Sequence, residues 1–180
     1  MRTSKVTKII ILPKEEAIAY KPSSPTVAFR IFDAMKDGGY GPKGCLQQGY
    51  FNTFCFTFDD VDVTKHTPES LSRTIKADGI KKIFDESLAA KVISSFEVVM
   101  GLCDTLMVHC RAGASRSPAV AAALMDLYSI KKAIVPRDTI DDFAPEGSGL
   151  VSVKRQTIED AFSYNRHVYN LIIREAQKER

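Results

Sequence analysis

The chain has 180 residues, 44% of them hydrophobic and 26% charged, the proportions of a globular protein long enough to bury a core. A formal net charge of +3 is too small to argue for nucleic acid and mildly favours an anionic substrate. No apolar run approaches the ~20 residues of a membrane span, and Ile9 to Leu12 is too short for the core of an export signal.

In chain order, Ile9-Ile10-Ile11-Leu12 stops at Pro13 and reads as a buried strand, followed by a short helix over Lys14 to Tyr20. Thr26 to Phe32 reads as a second strand, and Gly38 to Pro42 as a loop. Tyr50 to Phe58 is aromatic and strand-like, with Phe54, Phe56 and Phe58 on one face, and runs into Asp59-Asp60-Val61-Asp62. Residues 63–83 are polar and without clear period. Leu88, Val92, Ile93, Phe96 and Val99 recur at helical spacing within Glu86 to Met100. Thr105 to His109 is a fourth strand. Ser117 to Tyr128 is a helix apolar on nearly every side, read as buried against a sheet. Residues 131–156 hold Pro136, Pro145, Gly147 and Gly149 and read mostly as loop, and Ile158 to Lys178 as one helix. No repeat or linker divides 1–180, so the expectation is one α/β domain. Its central, mostly parallel sheet would have about four to five strands flanked by helices.

The informative stretch is His109-Cys110-Arg111-Ala112-Gly113-Ala114-Ser115-Arg116-Ser117, between a strand and a helix. Small residues let such a loop curl until its N–H groups and the positive helix end cradle a tetrahedral anion. The same field stabilises a thiolate at the start of the cradle. Arg116, at its far lip, has the planar fork that grips two phosphate oxygens. The loop is suited to a phosphoryl group held above a nucleophilic sulfur. The plain alternative is a buried core cysteine, which leaves the fixed offsets of Cys, Gly and Arg-Ser unexplained.

This motif resembles the His-Cys-x5-Arg-Ser/Thr signature of the cysteine-based protein tyrosine phosphatases. The Ser-Arg-Ser-Pro ending is similar to the dual-specificity branch. The stretches FTFDDVDV, VHCRAGASRSPAVAAAL and YNRHVYNLI are similar to its short bacterial and phage members. The resemblance runs from the first strand to Ile173 and is thin over 62–82 and 131–156, which look like insertions. It implies Cys110 as nucleophile, Arg116 and the amides of residues 111–116 (Arg111, Ala112, Gly113, Ala114, Ser115 and Arg116) as the phosphate seat, and Ser117 as the hydroxyl that helps the thiolate leave. An Asp after a central strand would be the general acid. The resemblance favours Asp60 over Asp59, and Asp62 and Asp78 stay open. Asp78 stands at a similar distance from Cys110 to that in many relatives. Its neighbours Lys76, Lys81 and Lys82, and the lack of a preceding strand, speak against it.

Asn165 resembles the Asn that begins the last helix in this family and braces the cradle, a plain helix cap being the alternative. His109 is expected to order the loop through hydrogen bonds. Arg111 would face the substrate entrance or simply be solvated, and His66 and His167 read as surface residues without partners. The four cysteines have no metal-ligand spacing, so no metal or cofactor is expected, and a reducing cytoplasm is the expected setting. Cys103 lies at the far end of the strand from Cys110, which makes Cys45 or Cys55 the better candidate for a resolving thiol. The expected partners are a phosphorylated protein and, in the loop, phosphate, sulfate or vanadate, with neither nucleic acid nor membrane. The same cysteine chemistry on an RNA 5′-triphosphate or a phosphoinositide is an alternative, though the loop lacks the lysines of phosphoinositide-selective cradles. A non-catalytic phosphate-binding module would be expected to have lost Cys110 or Arg116. Sulfur transfer is disfavoured by the Arg-Ser ending.

Overall fold

The computed structural model describes residues 4–34, 46–141 and 149–178. Strand β1 (Lys8–Pro13) turns directly into α1 (Lys14–Ala19), then β2 (Thr26–Phe32) and β3 (Tyr50–Thr57) follow. Helices α2 (Pro68–Ala77) and α3 (Glu86–Val99) lead to β4 (Thr105–Cys110) and α4 (Arg116–Tyr128). The chain ends with β5 (Lys132–Pro136), β6 (Leu150–Val153), α5 (Arg155–Ala161) and α6 (Arg166–Lys178).

The six strands form one sheet in the order β3-β2-β4-β1-β5-β6. All neighbours pair in parallel except β6, which runs antiparallel to β5. Every residue of β4 is buried, as expected of a central parallel strand covered on both faces. One face carries Ile9, Ile11, Val27, Phe29, Ile31, Leu106 and Val108 against α3, α4 and α6. The other carries Ile10, Leu12, Ala28 and Met107 against Ala17 of α1. The connections leaving β1 and β4 therefore pass over opposite faces. In open α/β sheets the space beyond the carboxyl ends of such central strands is where ligands bind.

Much of the expected pattern holds. Leu88, Val92, Ile93, Phe96 and Val99 all face the core, and Ala119 to Met125 are all buried. Three expectations are corrected. The sheet has six strands because 131–156 contributes two: Ala133 and Val135 bury their side chains in β5 beside β1, and β6 closes that edge. Strands of five and four residues are too short to show a period above their flanking Pro and Gly. Within 62–82, α2 starts at the Thr67 cap with Pro68 behind it and fully buries no residue; its apolar side is only Leu71 and Ile75, half-buried and too few to set a period. The last helix is two. The break at 162–165 sends Phe162 and Tyr164 into the core and leaves Asn165 to cap α6 through the Val168 N–H. Among the described residues no helix is long and apolar enough to cross a membrane.

Candidate active site

The loop between β4 and α4 is locked to the end of β1. Gly113 has φ +70°, and a Cβ there would lie 2.7 Å from the Pro13 nitrogen, 3.0 Å from the Leu12 carbonyl carbon and 3.1 Å from the Pro13 Cα. Only glycine fits this left-handed, backbone-to-backbone contact. The Lys14 N–H donates to the Arg111 carbonyl at 3.1 Å, and the Asn165 N–H donates to the Ser115 carbonyl at 3.3 Å. The loop is thus fastened at both ends, by α1 and by the start of α6. Arg111, Ala112 and Ala114 form its exposed rim, and Gly113 is buried.

Cys110 stands at the carboxyl end of β4 with 2% of its surface exposed, and its Sγ lies 3.2 Å from the fully buried Ser117 Oγ. Arg116, 3% exposed, opens α4. Its Nη1 donates to Asp33 Oδ1 and to the Phe58 carbonyl, each at 2.8 Å. Its Nε is buried with no hydrogen-bond partner among the described residues, and Oδ2 of Asp60 lies 3.9 Å from it. A buried guanidinium is costly unless paired. Asp33 supplies the counter-charge on one side of the fork, and Nε remains a donor for a bound anion. A tetrahedral anion seated here would meet a sulfur, a guanidinium N–H and the amino end of a helix of 13 residues.

The four aspartates separate by environment. Asp59 is 6% exposed, and accepts from the Ala34, Lys81 and Lys82 N–H groups at 2.9, 2.9 and 3.0 Å. It binds the segment after β3 to residue 34 and to residues 81 and 82. Asp60, half-open to solvent, accepts from Ser115 Oγ at 2.8 Å and Asn165 Nδ2 at 3.0 Å. Asp62 accepts from the Thr64 N–H and Oγ1 and from the Arg166 and His167 N–H groups, so it caps α6 from outside. Burial pushes its carboxyl up, and the hydrogen bonds from Thr64, Arg166 and His167 outweigh this, holding it below the ordinary value of 3.8. Asp78 is an exposed residue at the end of α2. Of the four, the structure brings Asp60 to the loop.

Asn165 joins the two readings weighed for it, since its Oδ1 caps α6 while its Nδ2 reaches Asp60. His109 is 1% exposed, and its Nε2 accepts from Arg30 Nε at 3.1 Å on the sheet face away from Cys110. His66 is half-buried. His167 is not a partnerless surface residue: its ring Nε2 lies 2.9 Å from the Phe84 carbonyl and its N–H serves Asp62. Asp33 was not among the sequence candidates. It lies directly after β2, and only the insertion of β4 beside β2 brings it to Arg116.

The expected resolving role of Cys55 is corrected by register. Cys55 pairs with Arg30, which pairs with His109, so two strand spacings, roughly 9.6 Å, separate it from the Cys110 level. A disulfide needs a Cα separation below about 6.8 Å, and Cys110 points to the other face. Burial raises the Cys55 thiol, and burial with Asp104 alongside pushes Cys103 up to about 11. Cys45 lies outside the described residues. No family model matches the chain, and no curated protein matches it.

Proposed function

We propose that this chain is a cysteine-dependent phosphatase of the protein-tyrosine and dual-specificity kind, hydrolysing phosphate monoesters on a phosphorylated protein. The observation that carries the reading is the buried, half-satisfied Arg116 guanidinium on the same tight loop as Cys110, with the Asp60 carboxyl beside it. The phosphoryl group sits in the loop against Arg116. Sγ of Cys110 attacks phosphorus, forming the S–P bond as the ester P–O bond breaks, and Asp60 gives its proton to the departing oxygen. Water then attacks the phosphocysteine and passes a proton to the Asp60 carboxylate. The S–P bond breaks, with the Ser117 hydroxyl 3.2 Å away to donate to the leaving thiolate. Inorganic phosphate departs and no co-reactant beyond water is consumed. A reducing, cytoplasmic setting belongs to the same proposal, because the nucleophile must remain a thiol.

The test is hydrolysis of a phosphotyrosine peptide and an aryl phosphate in excess chelator. Turnover should be competitively inhibited by vanadate, and an acid quench should trap a phosphate adduct on Cys110. Cys110→Ser should fold, by circular dichroism, and turn over at background. Substantial turnover by the folded variant would overturn the reading.

A further inference from the structure

We propose that Ser115 and Asn165 are positioning residues for the acid. By occupying Oδ1 of Asp60 they reserve Oδ2 as the oxygen that carries and delivers the proton. This deepens the phosphatase reading above and rests on it. Ser115 stands at the N-cap position of α4, where a serine hydroxyl ordinarily accepts from the backbone of the first turn, yet it makes no such bond. It donates instead to Asp60 Oδ1 at 2.8 Å. Asn165 is 1% exposed, and its amide orientation is set because its Oδ1 must accept from the Val168 N–H. Its Nδ2 therefore faces Asp60 and donates to the same Oδ1 at 3.0 Å.

Both acceptor positions of Oδ1 are thereby used, so a proton on that oxygen would displace a donor. Oδ2 accepts no hydrogen bond from the described residues and stands on the Arg116 side, 3.9 Å from Nε. The ester oxygen of a phosphate held by Arg116 leaves into that space. The proton moves from Oδ2 to the leaving oxygen as the P–O bond breaks, and the attacking water later returns one to Oδ2. Because the donor hydroxyl belongs to the phosphate loop itself, acid and phosphate seat are built as one piece, which is the condition for alignment within a few tenths of an ångström.

The experiment compares phenyl phosphate, a poor leaving group, with 2,4-dinitrophenyl phosphate, which needs no proton, in Ser115→Ala, Ser115→Thr, Asp60→Ala and the Ser115→Ala/Asp60→Ala double variant. Loss of one hydrogen bond to a carboxyl predicts a fall in kcat for phenyl phosphate of roughly tenfold or more in Ser115→Ala. The dinitrophenyl ester should lose much less, vanadate inhibition should stay near wild type, and Ser115→Thr should recover the loss. The double variant should match Asp60→Ala alone, since a residue acting through another adds nothing once that one is gone. Equal losses on both esters with weakened vanadate inhibition, or additive losses in the double variant, would overturn the positioning role and leave Ser115 as part of the phosphate seat. Absence of leaving-group dependence in Asp60→Ala would also overturn it. In either case an inert Cys110→Ser would leave the phosphatase reading standing, whereas an active one would remove that reading itself.

Discussion

Gly113 and Asp33 show how single residues set this site. An alanine at position 113 would have to adopt a left-handed conformation, at about 1–2 kcal/mol, and push against three backbone atoms that cannot rotate away. Gly113→Ala should therefore lose at least that much stability in chemical denaturation, and vanadate binding should fall with it. Asp33 neutralises a guanidinium that is almost wholly out of water. Removing one partner of such a pair leaves an uncompensated charge, so Asp33→Ala should destabilise the protein by on the order of 3 kcal/mol. Asp33→Asn, which keeps an acceptor for Nη1, should cost less. The thiols give a third expectation. Cys55 and Cys103 are held protonated by burial and neither lies within bridging reach of Cys110. Alkylation at neutral pH should mark Cys110 ahead of both, with vanadate protecting it. Peroxide should leave sulfenic or higher acids on Cys110 and no bridge to Cys55, which peptide mass mapping will show.

At the scale of elements, the segment after β3 divides its labour among three aspartates within four residues. Asp59 faces inward to residues 34, 81 and 82, Asp60 faces the loop, and Asp62 caps α6. Asp62→Ala should cost about 1 kcal/mol, the usual worth of a cap. Its pH signature has a defined sign. The folded carboxyl sits below the ordinary 3.8, so its contribution is fully present above that value and is lost as pH falls through the lower folded one. Wild type should lose stability relative to Asp62→Ala as pH is lowered below about 4, converging in strong acid. Little of this division was legible beforehand. Cys110, Arg116 and Ser117 could be read because all their geometry lies within one turn and its flanks. Asp60 could be preferred only by resemblance, since strand alternation stops at Thr57 and cannot say which of two adjacent carboxyls turns to the loop. Asp62 gave no sign of its role at α6, because the Arg166 and His167 N–H groups it serves there lie about a hundred residues further along the chain than its local partner Thr64.

Across the whole molecule, the class of fold was legible and the strand order was not. Alternating apolar runs and helices specify a mostly parallel sheet, but the insertion of β4 between β2 and β1 is a long-range choice with no local signal, and with it goes the Asp33–Arg116 pair. The carboxyl-terminal third proves to be structural rather than appended. β5 pairs with β1, and α6 puts Val168, Leu171 and Ile172 against α3 and α4. A chain ended at Ile130 should therefore fail to give a cooperative thermal transition, because it exposes the outer faces of two core helices and strips β1 of one of its two sheet neighbours. The ties on the segment that carries Asp59, Asp60 and Asp62 bear on the timing of turnover. Moving Asp60 away from the loop would break the bonds of Asp59, Asp60 and Asp62 together, to residue 34, to residues 81 and 82, to Ser115 and to the start of α6. Under the proposed mechanism no lid has to swing shut before each turnover, so kcat on phenyl phosphate should be indifferent to added viscosity, the pace being kept by bond-breaking at phosphorus alone.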